Sequence, residues 1–561
     1  MKVFIKGKGE VNLTQKDFIA AGGQGSVYGK SNTAFKIYAD PKHMLPINKI
    51  QELSVLKNKA IIKPEDILLD EKNRVIGYTM PLVKNTYALC QLFPKAFRQR
   101  ENLDHKQMFE LIRKLQEIVK HCHDNKILIV DLNELNFLCD EKLKEIYAID
   151  TDSYQTPSFP ATAIMDSIRD RHSPNVFNEG TDWFSFAITS FQMYIGIHPF
   201  KGKHSSIKDI DDRMMKNISV LNKEVSLPPV CYDFSVIPPN YLKWYEAVLE
   251  QGKRLPPPFG NEFVQLVATK LKTIVGNNKF DIQEIKDYIH DIYNYMTFSG
   301  IELVITEMNT IFNNKEIGNF NTYKSVGISP KKNHIVFGKS VNGKLDLFDF
   351  TAQKTLMANI DSDALMSYNG TIYNKIGGNI VEISFIETGS DLMATSKVVC
   401  QTMENATSFF DGVVFQNMLR SFYATIFPKS GISYQVNIKE LKDYVKILDA
   451  KYDNKILFIV AIDAKGKTDQ LIFRFDDKFE EYDVRKHENI TFTGINFIVL
   501  DNGICVSINP FEQIELFSHT VNSQNLKVID DPIVSSDMKL YKNGMKALFA
   551  TGSKLYSIKL K

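Results

Sequence analysis

The chain has 561 residues, of which 44% are hydrophobic and 24% charged. That length exceeds the roughly 250–300 residues at which a single core stops growing, and the composition excludes wholesale disorder, so two or more folded domains are predicted. Lys and Arg total 68 against 66 for Asp and Glu, and the net charge of +2 offers no electrostatic case for binding nucleic acid or an anionic membrane.

The first ten residues hold no apolar stretch of the signal-peptide kind, and no run approaches the roughly 20 apolar residues that span a bilayer. Cys90, Cys122, Cys139, Cys231, Cys400 and Cys505 are scattered, with no paired zinc spacing. They read as free, mostly buried thiols of a cytoplasmic protein.

Residues 1–90 read as short strands joined by tight turns, with one helix near Pro46–Lys57. The run Ala20, Ala21, Gly22, Gly23, Gln24, Gly25, Ser26, Val27 is a glycine-rich turn between strands. Where Cβ atoms are missing, backbone N–H groups can close over phosphates. Lys36 follows in an apolar strand pattern about one hairpin later, where its ammonium reaches the α- and β-phosphates of a nucleotide. A buried ammonium calls for a carboxylate, and Glu52 on the following helix is the candidate.

Helical patterning begins near residue 100. Met108, Leu111, Ile112, Leu115, Ile118 and Val119 fall on one face of a helix over Lys106–His121. Next comes the apolar run Ile127–Leu138, interrupted by Asp131, Asn133 and Asn136, and then Ile146–Ala148 leading to Asp150 and Asp152. Unpaired polar groups are costly in apolar surroundings, and metal coordination is one reason to place them there. Carboxylate and amide oxygens suit Mg²⁺ bridging phosphates. Trp183–Tyr194, Asn240–Gln251 and Glu262–Val275 are further predicted helices. His121, His123, His172, His198 and His204 have no metal-ligand spacing and read as surface or capping residues.

Asp131-x-x-x-x-Asn136 followed by Asp150 resembles the catalytic loop and metal-binding Asp of protein kinases. The closest likeness is to the bacterial and phage kinase-like branch whose loop reads Asp-Leu-Asn-x-x-Asn and whose metal motif reads Asp-Thr-Asp-Ser-Phe/Tyr-Gln. Asp182-Trp-Phe-Ser-Phe with Gly196-Ile-His-Pro199-Phe200 resembles the kinase helix whose Asp anchors that loop. Gly77-Tyr-Thr-Met80-Pro-Leu82-Val83 resembles the strand entering the interlobe hinge, and Gly252-Lys-Arg254-Leu-Pro the Arg-Pro segment near the domain's end.

The resemblance implies a bilobal α+β protein-kinase-like domain over 1–295, with an N-lobe 1–83 and a C-lobe 84–295. It implies ATP and Mg as cofactors and Ser/Thr protein kinase activity. Ala21, Gly22, Gly23, Gln24, Gly25, Val27, Lys36, Met80, Leu82 and Val83 would bind the nucleotide. Asn136 and Asp150 would bind the metal, with Asp152 the alternative to Asp150. Asp131, Lys36, Glu52 and Asn133 would act in catalysis, and Asp182 would be structural.

The sequence departs from the pattern at four places. Ala20 replaces the first loop glycine, Ile129-Val130 replace His-Arg, Asn133 replaces a lysine, and Asp150-Thr-Asp152 replaces Asp-Phe-Gly. Without the Arg, control by an activation-loop phosphate loses its partner. Without the Lys, one cation is missing from the transferring phosphoryl group. Two other readings stay open: a pseudokinase scaffold that binds nucleotide and partner proteins, and a small-molecule phosphotransferase whose acceptor pocket Glu134 and Asp152 would acidify. The 163–178 segment would line the acceptor site of either enzyme.

After about residue 300, short β-rich runs alternate with Asn-Gly, Asp-Gly and Asp-Asn turns. Positions 370, 412, 454, 503 and 544 mark a period of roughly 40–45 residues, that of a four-stranded propeller blade. An all-β domain over 296–561 follows, a propeller of about six blades offering a face for a protein substrate or partner. Its last blade lacks a strand, which Ile301–Ile305 could supply. Residues 294–300 read as a short linker, compatible with rigid packing of the two halves.

Overall fold

The fold is that of a computed structural model describing all residues except 23, 41–43, 163, 259–278, 299–300, 321, 390, 419–420 and 493. Seven strands between Lys2 and Pro81 form one antiparallel sheet. Its strands are β1 (Lys2–Ile5), β2 (Gly9–Asn12), β3 (Phe18–Ala21), β4 (Gly25–Lys30), β5 (Thr33–Tyr38), β6 (Ile67–Leu69) and β7 (Val75–Pro81), in the order β2-β1-β6-β7-β5-β4-β3. β5, which carries Lys36, lies between β4 and β7. Both neighbours need glycine at the point of contact. A Cβ on Gly25 would stand 2.1 Å from the Ile37 carbonyl oxygen, and one on Gly77 2.0 Å from that of Lys36. Helix α1 (Ile47–Leu53) lies between β5 and β6 in sequence, and its Ile50 packs with Met80 against Tyr38, Leu45 and Tyr78.

The middle of the chain is mainly helical: α2 (Lys95–Arg100), α3 (His105–Asp124), α4 (Glu179–Ile195), α5 (Ile210–Met215) and α6 (Pro239–Tyr245), the last extended by a wider turn over Glu246–Glu250. A reciprocal capping box starts α3, with the Gln107 N–H donating to Asp104 Oδ1 and the Asp104 N–H to Gln107 Oε1. α4 is buried from Thr181 to Ile195 and ends at Gly196 with φ +88°. A small sheet of β8 (Thr86–Ala88), β9 (Phe137–Asp140) and β10 (Ile146–Ala148) holds the loops on either side of Asp131 and Asp150. The predicted helix Glu262–Val275 lies outside the described residues.

From Phe280 onward the described elements are strands, apart from one short helical turn at Lys439–Asp443. They form seven four-stranded antiparallel sheets. The period had suggested about six, because it was counted on turns and missed the first unit, which has none of the Asn-Gly type. Two other expectations also change. Residues 294–298 are not linker: Ile292–Phe298 is a strand paired with Ile301–Thr306. The last sheet takes its fourth strand not from Ile301–Ile305 but from Phe280–Asp287, which pairs with Lys554–Leu560. The all-β region therefore includes residues before position 296.

Turn chemistry fixes register as the sequence suggests. Asn369 and Gly370 have φ of 48° and 73°, as a two-residue type I′ hairpin requires. Neighbouring sheets share apolar clusters: Phe458 stacks on Phe497 at 4.2 Å, and Leu548 and Leu555 of the last sheet pack with Ile292 and Val304 of the first. The largest core, built around α3 and α4, also takes in Leu448, Val460, Ile462 and Ile490, so the two halves share buried apolar surface. No helix among the described residues is long and apolar enough to cross a membrane.

Candidate functional site

The site lies where the first sheet meets the helical segment. Lys36, 8% exposed, donates from Nζ to Asp150 Oδ1 at 2.7 Å and to Asp152 Oδ2 and Oδ1 at 2.8 and 3.0 Å. Tyr38, two residues on and on the same face of β5, donates its hydroxyl to Asp152 Oδ2 at 2.7 Å. Asp150 adopts φ +59°, and the Ser153 hydroxyl donates to its carbonyl at 2.8 Å, so the turn after β10 aims both carboxylates back at the strand.

The electrostatics follow from that crowding. Burial alone would raise Asp152, but the Lys36 ammonium and the hydrogen bonds from Lys36 and Tyr38 hold it below the ordinary carboxylate range. Asp150 keeps its side chain 41% exposed on the cleft side, yet desolvation by the packed protein around it, and then the neighbouring Asp152 charge, push it up to about 6. Burial would lower Lys36, and the two carboxylates more than reverse this, so it stays charged.

The expected partner of Lys36, Glu52, is not there. Glu52 instead accepts from the Ser158 N–H at 3.2 Å. The α1 helix is seven residues long, and it turns Glu52 towards 156–158 while two carboxylates already satisfy Lys36. In its place α1 supplies Lys49, 1% exposed, whose Nζ donates to the Asp152 carbonyl at 2.8 Å. The sequence signal was the i, i+4 pair Lys49 and Leu53 on the buried face, overlooked because a helix lysine usually lies in solvent.

The loop 129–136 is held from beneath. Asp182, fully buried, accepts from the Ile129 N–H at 2.8 Å, the Val130 N–H at 2.9 Å and His123 Nε2 at 2.9 Å. Val130 has φ +63°, a strained conformation for a β-branched residue that the Asp182 bonds hold in place. His123, expected at the surface, is buried in this anchor and packs edge-on to Trp183. His198 is also buried, bonded to the Ser167 carbonyl at 2.8 Å, and burial pushes it down to about 3. His204 does cap, accepting the Ser206 and Ile207 N–H groups.

Asp131, 8% exposed, receives the Met165 N–H on Oδ1 at 2.7 Å and Asn136 Nδ2 on Oδ2 at 3.1 Å. Asn136 Nδ2 also donates to the Asp131 carbonyl at 3.0 Å, so the side-chain amide nitrogen is committed to Asp131. Asn133 accepts the Leu135 and Asn136 N–H groups at 2.8 and 3.2 Å, a turn that shapes the loop, whereas the sequence reading gave it a catalytic place. Asp170, unremarked in the sequence, is paired with Arg254 through two hydrogen bonds of 2.5 and 2.7 Å and fixes the segment after Met165.

Gly22, Leu82, Val83, Asp131, Asn133, Asn136 and Asp150 line one cleft, together with Ile19, Ala20, Leu135, Ile149 and Met165. It is part of a 2600 Å³ cavity that continues along the all-β region. Ala21 and Val27 pair across the hairpin with Ser26 and Ala20, the Gln24 carbonyl accepts the Ala39 N–H, and Gly25 abuts β5. Gly23 lies outside the described residues. Met80 faces the Tyr38–Tyr78 cluster and does not line the cleft wall.

No protein-family model matches the chain, and no curated protein matches it.

Proposed function

We propose that this chain is an ATP- and Mg-dependent phosphotransferase of protein-kinase-like fold that acts on Ser or Thr of a protein. The observation that carries the reading is the Lys36–Asp150–Asp152 cluster, drawn from segments more than a hundred residues apart in sequence, whose Asp150 lines the same cleft as Asp131 and Asn136. Two acids on one buried lysine is an arrangement suited to a site that handles phosphates and a cation.

The residues present fit a magnesium ion. Asn136 has its amide nitrogen turned to Asp131, which leaves Oδ1 as the donor atom for a metal, and the Asp150 side chain is 41% exposed towards the cleft. Among the described residues no three His, Cys, Asp or Glu side chains form a metal cluster, so the ion would rest on one amide, one or two carboxylates and phosphate oxygens. Bound there, it would neutralise charge on the β- and γ-phosphates.

Ile19 and Ala20 above and Leu135 and Ile149 below would sandwich the base, with Leu82–Val83 at its edge. Lys36 would turn from the acids to the α- and β-phosphates. Asp131 would take the proton of the acceptor hydroxyl as its oxygen bonds to the γ-phosphorus, while the β–γ bridging bond breaks and ADP leaves with the electron pair.

The region from Phe280 is read as a seven-bladed propeller. Support comes from seven four-stranded sheets, packing of the last on the first, and a final sheet completed by the earliest strand of the region. Its role would be to hold a protein partner or substrate beside the site.

The test is transfer of labelled γ-phosphate with Mg²⁺ to the chain itself and to a generic acceptor protein. Label that disappears in Asp131→Ala and Asp150→Ala supports the reading. No label, with Mg-ATP still raising Tm, points to a nucleotide-binding scaffold or a small-molecule enzyme. The absence of both label and stabilisation refutes it.

A further inference from the structure

A hairpin of the all-β region touches the segment that occupies Asp131. Strands Ile456–Asp463 and Thr468–Phe475 are joined by Ala464, Lys465, Gly466 and Lys467. Gly466 has φ +80°, and Asp463 Oδ1 accepts the Lys465 and Lys467 N–H groups at 2.8 and 2.9 Å, so the tip is rigid. It meets the first half closely. A Cβ on Gly466 would stand 2.9 Å from Met165 Sδ and 2.8 Å from Ser167 Oγ.

Met165 is the residue whose N–H donates to Asp131 Oδ1. An acceptor hydroxyl must come within roughly 2.6–3.2 Å of that carboxylate. With Asp131 8% exposed and Met165 bonded to it, the hydroxyl would compete with the Met165 N–H for Oδ1. Residues after Met165 cannot move easily: His198 holds the Ser167 carbonyl, Ser185 the Ile168 carbonyl, and Arg254 the Asp170 carboxylate. Met165 stands at the start of this anchored stretch, and Gly466 lies against its side chain. Nearby, Lys201 ties the halves together by donating to the Ile490 carbonyl at 3.2 Å.

We infer that the 463–467 hairpin is a built-in acceptor gate: by pinning Met165 it keeps the Asp131 carboxylate occupied, and displacement of the hairpin admits the acceptor. The inference rests on the phosphotransferase reading and supplies a control that does not need the Arg missing before Asp131. A partner that binds the all-β region and shifts this sheet would switch the enzyme on.

Two full-length variants test it. Gly466→Asn keeps a residue that tolerates positive φ, but its Cβ would stand 2.9 Å from Met165 Sδ and 2.8 Å from Ser167 Oγ, so the tip and Met165 must part. Replacing Ala464-Lys465-Gly466 with Asn-Gly shortens the tip to a two-residue hairpin and withdraws it. Both are expected to speed hydrogen exchange at the Met165 amide and to raise label transfer by about tenfold, the scale of freeing one hydrogen bond to a charged group. The Tm shift given by Mg-ATP is expected to stay as in the parent. Faster exchange with unchanged or lower transfer, in variants still stabilised by Mg-ATP, overturns the gate and leaves the phosphotransferase reading intact. No stabilisation by Mg-ATP in parent or variants removes both.

Discussion

Replacing Asp182 by Ala would test the anchor beneath the candidate catalytic loop. The carboxylate is fully buried and accepts three hydrogen bonds, two from consecutive backbone N–H groups and one from His123. Hydrogen bonds to a charged group contribute about 1.5–3 kcal/mol each, and a buried donor left without a partner costs about 1–3 kcal/mol. Loop rearrangement would recover part of this, because Val130 at φ +63° would be free to leave a conformation that costs about 1–3 kcal/mol. The net expectation is a loss of about 3–5 kcal/mol, the range for large single-site effects. Urea denaturation followed by tryptophan fluorescence suits the measurement, since Trp183 adjoins the site and the chain has only one other tryptophan, Trp244. Asp182→Asn, which keeps one acceptor oxygen, is expected to fall between Ala and the parent. A loss below about 1 kcal/mol for Ala, with an unchanged m-value, would refute the claim that these bonds hold the loop.

Other perturbations follow from the same geometry. Lys36→Met strands Asp150 and Asp152 together and is expected to cost about 3–5 kcal/mol at pH 7, as when one partner of a buried pair is removed. In the parent, Asp152 lies below its ordinary value, so its contribution is present at neutral pH and fades as pH falls through its folded pKa. In the variant burial acts on Asp152 with the Tyr38 hydrogen bond but no longer the Lys36 ammonium against it, so the deficit should shrink on acidification, and a pH-independent deficit would count against the ion cluster. Glu52→Gln is expected to leave stability within about 0.5 kcal/mol, whereas Lys49→Met alters the Asp150–Asp152 turn and weakens the Tm response to Mg-ATP; the reverse pattern would restore the Glu52 assignment. His198, held at about 3 against an unfolded value near 6.5, stays neutral in the folded chain. Its contribution is complete above pH 6.5 and lost as pH falls, by about 2 kcal/mol at pH 5, and His198→Gln should flatten that part of the stability–pH curve.

How much of this could be read from the sequence depended on whether the signal was local. The α3 and α4 helices, the strand–turn alternation after residue 300 and the placing of Asp131, Asn136 and Asp150 after apolar runs are all set by periodicity and turn chemistry within a few residues. Asp182 was also expected, through the resemblance of Asp182-Trp-Phe-Ser-Phe to the kinase helix that anchors the loop. What the sequence could not decide was pairing between distant segments. Lys36 needed a carboxylate, and Glu52 on the following helix was the candidate, but the choice fell to Asp150 and Asp152 because β5 and the turn after β10 meet across the cleft. The number of sheets and the strand that completes the last one were likewise decided by packing, since Phe280–Asp287 shares no local pattern with Lys554–Leu560. The contact of Gly466 with Met165 left no trace in the sequence: a glycine in a hairpin is explained by its own positive φ, and only the tertiary structure shows that the absent Cβ also lets the hairpin approach the loop that holds Asp131.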